Sequence, residues 1–296
     1  MPQPLAAISP LVLRLRLAAL VDKVMTDAGY SQLGLALAWG GSRQTVNRLV
    51  NPLSNLDRRP LAPHVQAILR TCGLTPGEPL WDEILTIFLS SSEDGWWRAR
   101  QHAAMGRAQM LLADIELGAA RISDYRMHLA PQLAQTADVA AHRAGLQPAD
   151  DQSTPHGITA GIARRQQQLA TQGTRHDILL EETAVRRQVV PADLHRRQLQ
   201  HLADIADTDR TQVRILPAGA ALPDLPPAVA PFTLYTYPGR ISPELAMVQA
   251  AHLDGLLADE TAVRHYDDLY AQLRDAALPA ADSAALLADA AAAIRD

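Results

Sequence analysis

The chain has 296 residues, of which 48% are hydrophobic and 20% charged, enough apolar material for a folded core and too much for a chain disordered by composition. The length suits two domains. Its formal net charge of −5 argues against a uniformly basic nucleic-acid binder, yet residues 1–79 carry eight basic against four acidic side chains, a net of +4, which leaves −9 for the rest.

Taken in order, residues 1–10 read as a loose, proline-containing arm. From Leu11 to Ala28 the residues Leu13, Leu17, Leu20, Val21 and Val24 recur at helical spacing, and Gly29 ends the helix. The next stretch, Ser31 to Arg48, predicts two short helices. Leu35, Ala36 and Trp39 form the apolar stripe of the first, Gly40 and Gly41 make a turn, and Ser42 caps the second. Val46 and Leu49 face inward there, leaving Arg43, Gln44, Thr45, Asn47 and Arg48 mostly outward. Asn51 to Pro60 is a turn-rich loop, whose Arg58 and Arg59 serve equally as phosphate contacts or as a solvated basic loop. Helices follow over Pro63–Thr71, closed by Gly73, and over Pro79–Leu89. The polar run Ser90 to Gly95 marks a boundary.

Beyond it, Trp96 and Trp97 open a long helical segment through Gln101, Ala108, Leu111 and Leu112 and anchor the second core. Helices are read at Ile158–Leu169, Ala192–Ile205, Glu260–Ala276 and Ser283–Ile294. Strands are read at Asp177–Glu181, Thr211–Leu216 and Phe232–Tyr237, the last two from alternating patterns. Pro217 to Pro231 is proline-rich and irregular, a flexible cover. The expected fold is mainly α with a small β component, a five-helix domain over residues 1–90 and an α+β domain over 91–296.

The outward set on the second short helix can bond base edges and phosphates in a major groove. Its register carries a resemblance. Ser31-Gln32, Leu35-Ala36, Trp39-Gly40, Ser42 and Thr45-Val46 fall without a gap on the pattern of Xre-type (Cro/repressor-like) helix-turn-helix regulators. Two residues depart from it. Gly34 lies inside the first helix at a cost of about 1 kcal/mol relative to Ala, and Gly41 stands where the family has a buried aliphatic.

The remainder resembles the C-terminal domain attached to many actinobacterial regulators of that type. The series is the tandem Trp, Leu129–Thr136, Ala163–Gln166, Glu181–Arg187, Gln198–Leu202 and Val213–Pro217. Together the two resemblances cover about residues 11–287. Gln132 replaces the family's glycine, and Gln249 stands for an acidic residue of a late strand; both changes alter a pocket or partner surface. The resemblance implies antitoxin-like or developmental regulators, often paired with a small protein encoded next door, and it implies binding without a reaction.

Chemistry is otherwise sparse. Cys72 is the only cysteine, which excludes an internal disulfide and a cysteine-based zinc site. No phosphate-binding glycine loop, nucleophile elbow or H-E-x-x-H occurs. His195 and His201 lie on different sides of one helix, so no histidine metal face is expected. Adjacent Glu181 and Glu182 serve as acid–base groups or as solvated carboxylates, Tyr235 and Tyr237 as pocket walls or packing, and His128 and His142, which flank the Leu-Ala-Pro-Gln element, as candidate haem or metal ligands. No catalytic residue, metal or cofactor is assigned. Arg14 and Arg16 break the N-terminal apolar run, against a signal peptide, and no stretch reaches the roughly 18 apolar residues that span a bilayer. A cytoplasmic protein of a high-GC bacterium is expected, Lys23 being the sole lysine.

The leading expectation is a sequence-specific regulator that binds double-stranded DNA as a homodimer. Gln44 reads adenine, Arg43 contacts guanine or phosphate, Asn47 and Arg48 support them, Ser42 and Thr45 flank the contact, and Gln32 holds a phosphate from the preceding helix. The C-terminal domain then binds a neighbouring-gene protein or a small effector. The rival is an enzyme or small-molecule-binding protein on a regulator scaffold that has lost DNA binding, its cavity near Pro217–Pro231.

Overall fold

A computed structural model describes residues 8–55, 60–92, 95–146, 153–223, 229–238, 244–249 and 255–295. Arg58, Arg59, Glu93, Asp94, most of the N-terminal arm and the middle of the Pro217–Pro231 segment lie outside the described residues. Two compact units result, Met1–Gly95 with Pro238–Pro243, and Trp96–Tyr237 with Glu244–Asp296.

The first unit holds five α-helices among its described residues: α1 (Pro10–Asp27), α2 (Gln32–Trp39), α3 (Arg43–Val50), α4 (Ala62–Thr71) and α5 (Pro79–Ser90). All five start on a serine cap or carry a proline in the first turn, which satisfies or removes free N–H groups there. Ser9 accepts from the Val12 N–H, Ser31 from Gly34 and Ser42 from Thr45, at 3.0, 3.1 and 3.1 Å. Leu11, Leu13, Leu17, Val21, Leu35, Val46, Leu49, Val65, Ile68 and Ile84 are all buried, and this shared core holds α1 against α3 and α5.

The second unit is a mixed sheet with helices on both faces. The expected long helix from Trp96 is broken. Two 3-10 segments, Trp96–Arg98 and Arg100–Met105, precede α6 (Gly106–Glu116), with Gly106 at φ 80° between them. Then follow β1 (Arg121–Arg126), α7 (Ala137–Ala144), α8 (Pro155–Gln172), β2 (Arg175–Glu181), α9 (Glu182–Arg186), α10 (Ala192–Ile205), β3 (Thr211–Leu216), β4 (Phe232–Thr236), β5 (Leu245–Val248), β6 (Gly255–Leu257), α11 (Glu260–Asp275) and α12 (Ala280–Ala293). The strand order is β3-β2-β1-β4-β5-β6. β1, β2 and β3 run parallel, whereas β4, β5 and β6 join antiparallel on the other side of β1.

Because side chains alternate along a strand, each face has its own cover. Ile178, Leu180, Val213 and Ile215 pack with Leu199 and Leu202 of α10 and Leu287 and Ala291 of α12. On the opposite face Tyr125, Leu179, Leu216 and Phe232 pack with Val263, Leu269, Tyr270 and Leu273 of α11. Between α6, α7, α8 and the β1–β4 pair the packing is incomplete, and a cavity remains. No single helix among the described residues is long and apolar enough to cross a membrane.

Candidate functional site

Among the described residues, polar side chains that the fold does not consume gather on α3 and in a cavity of the second unit. Gly40 takes φ 74°, the left-handed conformation that glycine adopts without strain, and its N–H bonds back to α2. Ser42 then starts α3, while Val46 and Leu49 fix its inner face in the core. Arg43 and Gln44 are exposed in the first turn, and Thr45, Asn47 and Arg48 are half-buried.

Residues four apart share a helix face, which groups Arg43 with Asn47 and Gln44 with Arg48. Not all of these atoms are available. The Ser42 hydroxyl serves the cap and shares a 2.9 Å hydrogen bond with the Thr45 hydroxyl, so both act in forming the turn. The Nε of Arg48 is buried without a hydrogen-bond partner among the described residues. Gln32 is half-buried in the first turn of α2, where Ser31 supplies the cap. Arg43 and Gln44 remain as the exposed pair.

The second place is the cavity, of about 240 Å³. Register places Ile122 opposite Tyr235 and Asp124 opposite Thr233 on β1 and β4, and these four side chains form its floor. Leu112 and Glu116 of α6, Ile162 and Arg165 of α8, and Arg143 of α7 close the sides. Buried charges here are paired. Arg165 donates Nε to Glu116 at 2.8 Å and its Nη2 to the other carboxylate oxygen, while Nη1 reaches Gln109 and Gln132, each at 2.6 Å. Asp124 accepts from Thr233 at 2.7 Å, lies 2.7 Å from His176 Nε2, and pairs with Arg126 at 2.5 Å.

Burial and neighbouring charge together set the titration of this lining. Glu116 is pushed up by desolvation, and the attraction of Arg165 only moderates that rise. Desolvation also opposes the charged form of Asp124, but Arg126 together with the hydrogen bond from His176 holds its carboxyl below the ordinary range. Tyr235 is raised by burial and then by the two carboxylates.

Of the residues singled out in the sequence, Gln132, Gln249, Tyr235 and His128 line this cavity. Others fall elsewhere. Tyr237 donates its hydroxyl to the Ile115 carbonyl as a packing residue, and His142 does not reach the lining. Among the described residues of the Pro217–Pro231 segment Pro231 alone does, and the cavity lies against β1 and β4. Glu181 accepts from Tyr125 at 2.5 Å, and Glu182 from Arg186 and the Ala218 N–H, both at 3.0 Å. These carboxylates hold structure. Glu116, Asp124, Arg126 and His176 went unnoticed because they come from three separated elements with no fixed spacing. Among the described residues no cluster of His, Cys, Asp and Glu fits a metal ion.

A family model described as a domain of unknown function, DUF5753, matches residues 109–289. No curated protein and no solved structure matches the chain. The matched stretch contains every residue of the cavity lining and none of α1–α5.

Proposed function

This chain belongs to the DUF5753 family, and from that premise we propose that it is a cytoplasmic, sequence-specific DNA-binding transcriptional regulator of the Xre type, in which the family domain receives a partner protein or small effector. One observation carries the reading. A capped eight-residue helix, anchored by two buried aliphatic residues behind a left-handed glycine turn, presents Arg43 and Gln44 to solvent in its first turn. The N-terminal residues of a recognition helix are those that meet base edges. Gln44 is suited to bidentate contact with adenine, and Arg43 to guanine or a phosphate. The reading includes a homodimer, since paired half-sites about 34 Å apart supply the contacts that one short helix lacks.

The test is selection of bound fragments from a random DNA pool with the full chain, followed by competition against unselected DNA. Gln44→Ala should lower the discrimination by roughly 1–3 kcal/mol. Equal binding to selected and unselected DNA, before and after the change, removes Gln44 from this role. The cavity favours a second reading, a small-molecule-binding protein that no longer binds DNA. Failure of the chain to be retained on heparin or DNA at low salt would select that reading.

A further inference from the structure

The cavity between α6, α7, α8 and the β1–β4 pair is donor-rich once its internal bonds are counted. Both carboxylates of the lining are compensated. Glu116 faces the guanidinium of Arg165, and Asp124 is met by Arg126, His176 and Thr233. The lining therefore offers a cationic ligand no uncompensated carboxylate.

What remains unspent has the opposite character. Arg143 on α7 is half-buried at the cavity wall and makes no ion pair among the described residues. Tyr235 is 2% exposed, yet its hydroxyl has no hydrogen-bond partner among the described residues. This side chain is itself part of the cavity lining. The Oε1 of Gln132 is taken by Gln109 and Arg165, which leaves its amide nitrogen free to donate. Leu112, Leu129, Leu133 and Ile162 supply apolar walls. A partly apolar cavity with a few convergent polar groups is the usual form of a small-molecule site.

We propose that this cavity binds a small organic acid, its carboxylate held by Arg143, its apolar body against the α6–α8 wall, and a neutral carbonyl or ether oxygen accepting from Tyr235. Guanidinium recognises carboxylate by paired charge-assisted hydrogen bonds. A cavity of about 240 Å³ suits a compact metabolite. That such an acid acts as the effector rests on the regulator reading; that it binds does not.

Calorimetric titration of the full chain, without DNA, uses three probes of matched length: hexanoate, 5-oxohexanoate and hexylammonium. Both acids should saturate a single site, with 5-oxohexanoate the tighter, and hexylammonium should give no saturable heat. Arg143→Gln should weaken both acids about tenfold or more, the loss of one charge-assisted contact. Tyr235→Phe, which keeps the packing, should remove the preference for 5-oxohexanoate over hexanoate. Unchanged thermal unfolding of both variants shows that the fold is retained.

Three results would overturn the assignment: no saturable heat with either acid, equal binding of hexylammonium, or undiminished binding of both acids by Arg143→Gln. A DNA-binding assay with and without 5-oxohexanoate separates the two readings. Acid binding by a chain that binds no DNA refutes the regulator and leaves the site standing.

Discussion

Glu116 and Arg165 show how much one residue can hold in this fold. Both side chains are 3% exposed, so removing either leaves a charge stranded away from water. Arg165→Met should cost about 3–5 kcal/mol, measured by urea unfolding, whereas the double change Glu116→Leu with Arg165→Met should recover much of that loss. Asp124 sets a pH dependence. Its folded value lies below the ordinary one near 3.8, despite desolvation, because Arg126 and His176 favour the charged form. Its stabilisation is therefore complete above pH 3.8 and is lost as the pH falls through the lower folded value. Glu116, raised chiefly by desolvation, acts in the opposite sense: its contribution is present below pH 4.5 and is lost as the pH rises through its higher folded value. Asp124→Asn should flatten the acid limb of the unfolding midpoint measured between about pH 2 and 5. No change in that limb would show that the Asp124 pairs contribute nothing net.

At the scale of elements, glycine contacts explain both where the sequence could be read and where it could not. Gly41 departs from the expected buried aliphatic because the Trp39 ring lies across it; a Cβ built there would stand 2.0 Å from that ring. The indole, edge-on to His64 at 5.6 Å, fills the space that the aliphatic would take. Gly41→Val, which restores the usual residue type, should therefore destabilise by roughly 1–3 kcal/mol in thermal or urea unfolding. A neutral or stabilising result would mean that the ring is free to leave. The 3-10 segment Arg100–Met105 has a related origin. A Cβ on Gly157 of α8 would meet the Ala104 carbonyl oxygen at 2.0 Å, and one on Gly161 the Met105 Cβ at 3.0 Å.

Backbone pressed onto a glycine face cannot keep a full α-helix in the way, and only the distant α8 reveals that. Gly157→Ala should cost at least as much as an overpacked core position, about 3 kcal/mol. Strand β3 was legible because Val213 and Ile215 alternate with Gln212 and Arg214, and α10 because its inward leucines repeat. β1 was not, since its inward residues include Asp124, whose partner His176 comes from β2, 52 residues away. A buried pair made across two strands erases the alternation by which a strand is recognised. The cavity escaped notice for the same reason, apart from Gln132, Gln249, Tyr235 and His128.

For the whole molecule, charge placement turns the DNA reading into a measurable slope. The first 79 residues are basic by four charges, within a chain that is acidic by five. Attraction to a duplex must then come from few cations, and it should be sensitive to salt. A dimer neutralising two phosphates per protomer gives a slope of about −4 in log K against log salt. A general basic binder with many contacts would fall far more steeply. Arg43 decides between its two candidate roles on this axis. As a phosphate contact, its loss in Arg43→Ala should reduce the slope by about 1 per protomer and weaken all DNAs alike. As a guanine contact, its loss should lower discrimination by about 1–3 kcal/mol at one position and leave other positions unchanged. Gln44→Ala is the internal control, because a neutral amide releases no counterion and its removal should leave the slope intact. A slope near zero for the parent chain would mean that α3 meets no phosphate, and the exposed pair on its first turn would then have to serve a ligand other than DNA.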